Sequence, residues 1–300
     1  PELYTLLPAD AKLELLAEGF TWTEGPVWSR KGGYLLFCDI PRNVIFKWKD
    51  GEGTSEFLSP SGYTGSTPRG GEPGSNGLTM DPGGHLLMCE HGDRRVTRLE
   101  SNGQKTTLAE YYKDRRLNSP NDLVLRSNGD LYFTDPPYGL EGNNADPKKE
   151  LMFNGVYRRS RFGELTLLIK DLTFPNGIAF SPDEKTLYVA VSDAKRMIWM
   201  AYDVKNDGSI ANGRVFYDIT SQAAGKKGGP DGMKVDLAGN LWATGPGGIV
   251  IFTPQAKILG VINTGEPTAN CAWGEDGSVL YITANNKICR IKTTTKGKMP

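Results

Sequence analysis

One pattern of polar and apolar residues recurs along the whole chain. Each copy has a polar residue, a small or turn-forming residue, an apolar triplet, a Gly, Asp or Pro turn, and a second apolar run that opens near a Leu. Two apolar runs joined by such a turn predict a β-hairpin. The six copies read EGPVWSRKGGYLLF, NGLTMDPGGHLLM, NDLVLRSNGDLYF, NGIAFSPDEKTLYV, DGMKVDLAGNLWA and ANCAWGEDGSVLYI.

The spacing of the copies predicts the architecture. They start at residues 24, 76, 121, 176, 231 and 269, and further strand-like sequence such as RVTRLE (95–100) follows the hairpins. Units of about 40–50 residues with about four short strands are typical of propeller blades. Helix-period patterning is confined to the N-terminal segment, around residues 9–17. We therefore expect an all-β, six-bladed β-propeller that forms a single domain over residues 1–300, with the N-terminal segment helping to close the last blade.

The first residue of each copy is the strongest chemical signal. Inner strands of a propeller surround its channel, so these positions form a ring at one mouth. The ring residues are Glu24, Asn76, Asn121, Asn176, Asp231 and Ala269. A lone Asn at a strand entry is ordinarily a turn residue. Five oxygen-bearing side chains on one axis, two of them carboxylates, favour a site for a hard divalent cation. The ring has no His or Cys, which argues against a site tuned for soft metals.

A second group of polar residues is expected on the same face. The second strand of a hairpin ends beside the start of the first, and these ends carry Asp39, Glu90 with His91, Asp135 and Asp193. Two long inserts, at 59–75 and 135–155, are also expected to lie over this face, where such loops often bind ligands. Candidate substrate contacts are Asn76, Asn121, Tyr63, Arg69, Glu90, His91 and Tyr138. For Tyr63, Arg69, His91 and Tyr138 the alternative is a solvated surface position.

Composition and missing motifs narrow the functional classes. Lys plus Arg and Asp plus Glu each number 35, so no net charge favours nucleic acid or an anionic membrane. No apolar run is long enough to span a bilayer. The four cysteines lack CxxC spacing and are expected in the core, with a Cys271–Cys289 bridge as the alternative. There is no GxSxG, HExxH or GxGxxG motif, and a Ser–His–Asp triad would have to use His91.

Four motifs in this order carry a family resemblance. TEGPVW, SPNDLVLRSNGDLYFTDPPYG, FPNGIAFSPDEKTLYVA and PDGMKVD resemble the SMP-30/gluconolactonase/luciferin-regenerating-enzyme family over nearly the full chain. EHGDRRVTRLE and TDPPYG are closer to the bacterial gluconolactonase branch than to the animal regucalcin branch. The resemblance implies a six-bladed propeller with one catalytic divalent metal ion, Ca²⁺ first and Zn²⁺, Mg²⁺ or Mn²⁺ as alternatives.

The resemblance also implies roles for individual residues. Family metal ligands correspond to Glu24, Asn176 and Asp231, and Asn121 corresponds to a residue that contacts substrate or metal. One departure is Ser119, where the animal members have Arg. The implied reaction is hydrolysis of a sugar lactone to the aldonic acid, with Asp231 as general base if one of its oxygens is free of the metal. An arylesterase or organophosphate hydrolase and a non-enzymatic sugar-binding propeller remain alternatives.

The sequence leaves the setting of the protein open. It begins with Pro1 rather than Met and carries few cysteines. These features are compatible with the bacterial cytoplasm and with the periplasm after removal of a leader. We expect a monomer or weak dimer that binds a small sugar lactone and neither nucleic acid nor membrane.

Overall fold

Six antiparallel sheets of four strands surround a central channel in the computed structural model, which describes residues 2–300. The prediction of an all-β, six-bladed β-propeller is confirmed. In every blade the strand that begins a repeat copy forms one edge of the sheet, and these strands contact one another around the axis. They are therefore the innermost strands, and the residues at their starts meet at the channel.

The first three blades follow the chain from Thr23 to Ile169. Blade 1 contains β2 (Thr23–Ser29), β3 (Tyr34–Asp39), β4 (Val44–Lys49) and β5 (Gly53–Leu58). Blade 2 contains β6 (Ser75–Met80), β7 (Leu86–Glu90), β8 (Arg95–Leu99) and β9 (Lys105–Ala109). Blade 3 contains β12 (Leu123–Leu125), β13 (Leu131–Asp135), β14 (Gly155–Arg159) and β15 (Leu165–Ile169). A small hairpin of β10 (Tyr111–Tyr112) and β11 (Arg115–Arg116) joins blades 2 and 3.

The remaining blades complete the circle. Blade 4 contains β16 (Pro175–Phe180), β17 (Thr186–Asp193), β18 (Arg196–Val204) and β19 (Ile210–Asp218). Blade 5 contains β20 (Met233–Val235), β21 (Leu241–Gly245), β22 (Gly248–Phe252) and β23 (Ile258–Ile262). Blade 6 contains β24 (Thr268–Gly274), β25 (Val279–Ala284), β26 (Lys287–Lys292) and, at its outer edge, β1 (Glu14–Glu18). Short 3₁₀ turns occupy Glu2–Thr5, Asn143–Ala145 and Thr220–Gln222.

The N-terminal segment closes the last blade, as expected from the sequence. Strand β1 pairs antiparallel with β26, with Glu14 opposite Arg290. The helix-period pattern around residues 9–17 was nevertheless misleading, because this segment contributes a strand. The free edge of β26 offers unpaired backbone groups, and satisfying them outweighs a weak local helical preference.

The hydrophobic core is divided among the blade interfaces. Six clusters of buried side chains each lie between two neighbouring sheets. Aromatic pairs bridge four of these interfaces, with ring centroids 4.9 Å apart for Tyr132 and Phe180, 5.0 Å for Trp199 and Phe252 and for Trp242 and Trp273, and 5.2 Å for Trp28 and Tyr281. Close packing on both faces of each blade holds the inner strands rigidly around the channel.

The cysteines and the length of the helices were also considered from the sequence, and the structure shows both. All four cysteines are buried and free, so they are core residues and Cys271 and Cys289 are not bridged. Between residues 2 and 300, no helix has the length and apolar character needed to cross a membrane.

Candidate active site

Five of the six ring positions meet in one cavity at the mouth of the channel. The cavity has a volume of about 310 Å³. Its walls are formed by Trp22, Glu24, Glu72, Asn76, Asn121, Tyr138, Asn176, Ser192, Met197, Gly228, Gly229, Pro230 and Asp231. The ring predicted from the repeat is thus a structural feature, except at Ala269. Blade 6 instead brings the next residue, Asn270, toward the ring, and its Nδ2 donates to Glu24 Oε2 at 3.1 Å.

Irregular strand starts position the ring side chains. In blades 1, 2 and 4 the pairing register shifts at the ring position, so that two residues of the inner strand face one on its partner. Such a bulge turns a side chain away from the regular up-and-down alternation. In blades 3 and 5 the inner strands begin only at Leu123 and Met233, and the ring residues precede them. The polar side chains are therefore free to point into the channel while the following apolar residues enter the core.

Glycines after the ring residues let the inner strands approach closely. A Cβ on Gly177 would lie 2.0 Å from the carbonyl oxygen of Asp231 in the next blade. At Gly25, where φ is +55°, it would lie 1.8 Å from the carbonyl oxygen of Asn76. These separations are far below van der Waals contact, so a side chain at either position would push neighbouring blades apart. The glycines set the diameter of the ring.

The two ring carboxylates are held where their charge is unfavourable. Burial, with repulsion from Asp122, raises the pKa of Glu24 to about 8. Burial, with repulsion from Glu24 and Asp122, also raises the pKa of Asp231 well above its ordinary value. The hydrogen bonds that Glu24 accepts from Asn270 and from the Gly25 backbone N–H only partly offset this. A cation at this position would relieve the repulsion.

The side-chain carbonyl oxygen of Asn176 is a hydrogen-bond acceptor that no donor among residues 2–300 satisfies. Its Nδ2 donates to Ser192 Oγ at 2.8 Å, and Ser192 Oγ in turn donates to the carbonyl oxygen of Pro230. The Oδ1 atom is buried and has no hydrogen-bond partner among residues 2–300. An unpaired buried carbonyl oxygen is costly, which is a reason to expect a ligand opposite it.

The other two ring amides share a histidine. The Nδ2 atoms of Asn76 and Asn121 lie 3.2 Å and 3.5 Å from Nε2 of His91. The His91 side chain is fully buried behind the amides and does not line the cavity. On its other side, Nδ1 lies 3.1 Å from Oε2 of Glu72, which comes from the insert preceding blade 2 and does line the cavity.

A second layer of polar residues lies directly below the ring. Asp122 is buried, and its Oδ1 accepts the backbone N–H of Leu123 at 2.9 Å. Asn270 Oδ1 accepts the N–H of Cys271 at 2.8 Å and lies 3.4 Å from Nζ of Lys234. The sequence carries a signal for this layer at the second position of the repeat, next to the ring residue. The second position of the repeat is Gly in four copies, and the two exceptions are Asp122 and Asn270.

The predicted residues outside the ring have different surroundings. Tyr138 lines the cavity and stacks on Phe174 with a centroid distance of 5.7 Å. Burial raises the pKa of Tyr138, so its hydroxyl remains a donor. Arg69 is absent from the cavity wall; its guanidinium donates to the carbonyl oxygen of Gly139 and lies over the ring of Tyr63. Its contacts are therefore with the two inserts and with the carbonyl oxygen of Gly92, to which Nη1 donates at 3.4 Å.

The acidic ends of the second strands are used within the fold. Glu90 is fully buried, and its carboxylate is occupied by Arg95, Thr97 and Lys105. It therefore does not line the cavity. The other acidic ends, Asp39, Asp135 and Asp193, accept backbone N–H groups from nearby loops. The sequence placed these carboxylates on the correct face, but blade and loop contacts occupy them.

The cavity also contains residues that the sequence did not single out. They are Trp22, Glu72, Ser192, Met197 and the segment 228–230. They come from loops and strand ends without a repeated pattern, so the repeat could not reveal them.

Comparisons with known proteins agree with this architecture. The family model described as the SMP-30/Gluconolactonase/LRE-like region matches residues 22–286. A gluconolactonase of Zymomonas mobilis is 41% identical over 305 residues, covering 99% of this chain and 85% of that protein. A solved gluconolactonase structure from Xanthomonas campestris has a TM-score of 0.84 at 32% identity, covering 97% of this chain and 92% of that one.

A more distant structure shares the fold. A calcium-binding protein, regucalcin, from Agrobacterium tumefaciens has a TM-score of 0.76 at 21% identity, covering 96% of each chain. At this identity the likeness shows the propeller alone.

Proposed function

Because the chain belongs to the SMP-30/gluconolactonase/LRE-like family, we propose that its cavity hydrolyses a sugar lactone, of the glucono-1,5-lactone type, with the aid of one divalent cation. The gluconolactonase at 41% identity supports the class of reaction. The observation that carries the assignment to this site is the buried, unpartnered Oδ1 of Asn176 beside two mutually repelling carboxylates.

The residues present fit a hard cation. Glu24, Asn176 and Asp231 offer oxygen ligands, which Ca²⁺ and Mg²⁺ prefer, and the carbonyl oxygen of Asn121 in the same cavity would then be left for the substrate. Among the described residues, no three His, Cys, Asp or Glu side chains converge as a metal-binding group. A cation here would therefore depend on amide as well as carboxylate oxygens. Ca²⁺ is our first choice because it accepts such mixed oxygen ligands.

The reaction requires water to add to the lactone carbonyl carbon. A divalent cation bound by these oxygens would supply positive charge that stabilises negative charge developing on the carbonyl oxygen. Asp231 would accept the proton of the attacking water, provided that one of its oxygens is free. The bond between the carbonyl carbon and the ring oxygen then breaks, and the ring oxygen takes up a proton to give the aldonic acid.

The cavity walls would orient the sugar. The carbonyl oxygens of Asn76 and Asn121 are acceptors for hydroxyls, and the Tyr138 hydroxyl is a donor. The side chain of Trp22 offers an apolar surface against which a sugar ring can pack. Holding the lactone against these groups would place its carbonyl carbon for attack.

The test is a metal-reconstitution series with a substrate panel. Chelated protein, reloaded separately with Ca²⁺, Zn²⁺, Mg²⁺ or Mn²⁺, is assayed on glucono-1,5-lactone, phenyl acetate and paraoxon. We expect lactone hydrolysis above the uncatalysed rate only after reloading, and we expect Asp231→Asn to abolish this increase without loss of the folded state. Asp50→Asn, an exposed carboxylate on blade 1, is the matched control. Full lactonase activity in exhaustively chelated protein or in Asp231→Asn would refute the proposal.

A further inference from the structure

His91 connects the two ring amides that neither Ser192 nor a backbone group holds. Nε2 of His91 faces Nδ2 of Asn76 at 3.2 Å and Nδ2 of Asn121 at 3.5 Å. The amides belong to equivalent positions of neighbouring blades, and both are almost fully buried. One ring nitrogen thus contacts two of the side chains that form the cavity wall.

The donors and acceptor of an Asn side chain determine which of its atoms faces His91 and which faces away. An Asn side chain has two N–H donors on one side and a carbonyl acceptor on the other. Both amides direct their N–H groups at Nε2, so that nitrogen must act as an acceptor and the ring proton resides on Nδ1. Asn76 and Asn121 both line the cavity, and the Oδ1 atom of each amide lies on the side opposite the Nδ2 that faces His91.

Glu72 completes the arrangement from the insert. Its carboxylate oxygen lies 3.1 Å from Nδ1 of His91, although the two groups are not aligned as a regular hydrogen bond. A carboxylate at this distance favours the ring proton on Nδ1 rather than Nε2. The base of the insert is itself fixed, because Oδ1 of Asn43 accepts the backbone N–H groups of Gly62 and Tyr63 at 2.8 Å and 3.1 Å.

The imidazole of His91 has little freedom to adopt another orientation. A Cβ on Gly139 would lie 2.5 Å from Cβ of His91, so the second insert packs directly on the histidine. The backbone N–H of His91 also donates to the carbonyl oxygen of Gly74 at 3.1 Å. The histidine is therefore clamped between both inserts, and its orientation is built into the fold.

We propose that Glu72 and His91 are positioning residues that hold the Asn76 and Asn121 carbonyl oxygens toward the cavity, and that these two acceptors select lactones bearing hydroxyl groups over unsubstituted lactones. This inference rests on the proposed lactonase function and deepens it. A site that accepts substrate hydroxyls discriminates strongly against analogues that lack them, because its polar groups are then left unpaired. An amide that is free to rotate would no longer hold a fixed acceptor opposite the substrate hydroxyl, and this preference would weaken.

The experiment compares two lactones in the Ca²⁺-loaded full chain. Glucono-1,5-lactone carries hydroxyls and δ-valerolactone does not. We expect His91→Leu to lower kcat/KM for the hydroxylated lactone by roughly 10- to 100-fold, mainly through KM, since two hydrogen-bonding groups are released. For δ-valerolactone we expect a change below about threefold. Calorimetric Ca²⁺ affinity and thermal unfolding are measured for each variant.

Conservative replacement separates positioning from bulk packing. The side-chain oxygen of His91→Gln can occupy the place of Nε2 and accept from both amides, so this variant is expected to retain most of the selectivity. Glu72→Ala is expected to lose part of it, with the exposed Glu56→Ala as the matched control. Because Glu72 is about one-third exposed, its variant also serves if His91→Leu does not fold.

The outcomes distinguish the two proposals. If folded His91→Leu and Glu72→Ala keep the wild-type preference for glucono-1,5-lactone over δ-valerolactone, the positioning role of Glu72 and His91 is refuted. The proposed lactonase function is not affected by that result. An equal loss on both lactones also refutes it, because that result indicates a merely structural role. Wild-type protein that hydrolyses neither lactone refutes the proposed function itself.

Discussion

The sequence predicts that Glu90 contacts substrate, whereas the structure places its carboxylate among side chains of its own blade. Its carboxylate lies 2.7 Å from Arg95 Nε, 2.7 Å from Thr97 Oγ1 and 2.8 Å from Lys105 Nζ. The Glu90 side chain has no exposed surface, whereas those of Arg95 and Lys105 are 23% and 14% exposed. Glu90→Ala would remove the carboxylate partner of Lys105 and leave Arg95 with Asp93 alone, at 3.1 Å.

The magnitude follows from the burial of the partners. Removing one partner of a buried ion pair costs about 3–5 kcal/mol. Because both cations retain some access to water, we expect a loss of about 3 kcal/mol in the free energy of unfolding. A chain of 300 residues has an unfolding entropy of about 0.6 kcal/mol/K, so Tm should fall by about 5 °C. Glu90→Gln keeps an acceptor and the volume, and should lose about 1–2 kcal/mol.

Thermal unfolding by calorimetry and steady-state kinetics on the lactone form the assay. We expect Glu90→Ala to lower Tm. The KM of the protein that remains folded should stay within about twofold of wild type, because Glu90 does not line the cavity and its loss removes no contact with substrate. Glu100→Ala, which removes the partly exposed partner of Arg98 beside β8, is the control and should leave Tm within about 2 °C of wild type. A raised KM with an unchanged Tm would show that Glu90 contacts substrate and that our structural reasoning is wrong.

Three further predictions concern the ring and the closure of the propeller. Gly177→Ala should weaken both Ca²⁺ affinity and stability, since its Cβ would lie 2.0 Å from the Asp231 carbonyl, while Gly70→Ala, with its nearest atom at 3.7 Å, should leave calorimetric affinity and Tm intact. Burial and Asp122 raise the pKa of Glu24 from 4.5 to about 8, so the folded, metal-free protein binds a proton at Glu24 more tightly than the unfolded chain does. This proton binding stabilises the metal-free protein at low pH, and the contribution is lost as the pH rises through about 8. Ca²⁺ should consequently release protons at pH 7, measurable by calorimetry in buffers of different ionisation enthalpy, and should raise Tm more at pH 8.5 than at pH 6. Deletion of residues 1–18 should expose the edge of β26 and lower Tm or cause association, and an unaltered melting and sedimentation profile would contradict the closure role of β1.

The ring could be predicted because it depends on periodicity. Five of the six blades repeat the same polar start, so residues far apart in sequence such as Glu24 and Asp231 could be assigned to one mouth of the channel. The alignment erred only at blade 6, where the register shift places Asn270 rather than Ala269 toward the ring. A one-residue bulge reverses which side chain faces the channel, and composition gives no sign of it.

The contacts of the residues behind the ring could not be predicted because they are not periodic. His91 and Glu90 are adjacent in sequence at a strand end, yet one turns behind the ring amides and the other into an ion-pair cluster within blade 2. The deciding partners, Glu72 from an insert and Lys105 from β9, lie at distances along the chain that no motif specifies. The sequence thus identified the correct face, and tertiary contacts decided which side chains reach the cavity.

The two breaks in the glycine layer explain why the ring would prefer a divalent cation. Asp122 places a third carboxylate below Glu24 and Asp231, and its pKa is also raised by burial. The ammonium of Lys234 is the cation that acts electrostatically on Glu24 and Asp122. Glu24, Asp122 and Asp231 would carry three negative charges against one ammonium, and the Glu72 carboxylate at the cavity wall also repels Asp231. A divalent ion would neutralise more of this charge than a monovalent ion would. Asp122 therefore acts on the ring carboxylates through charge.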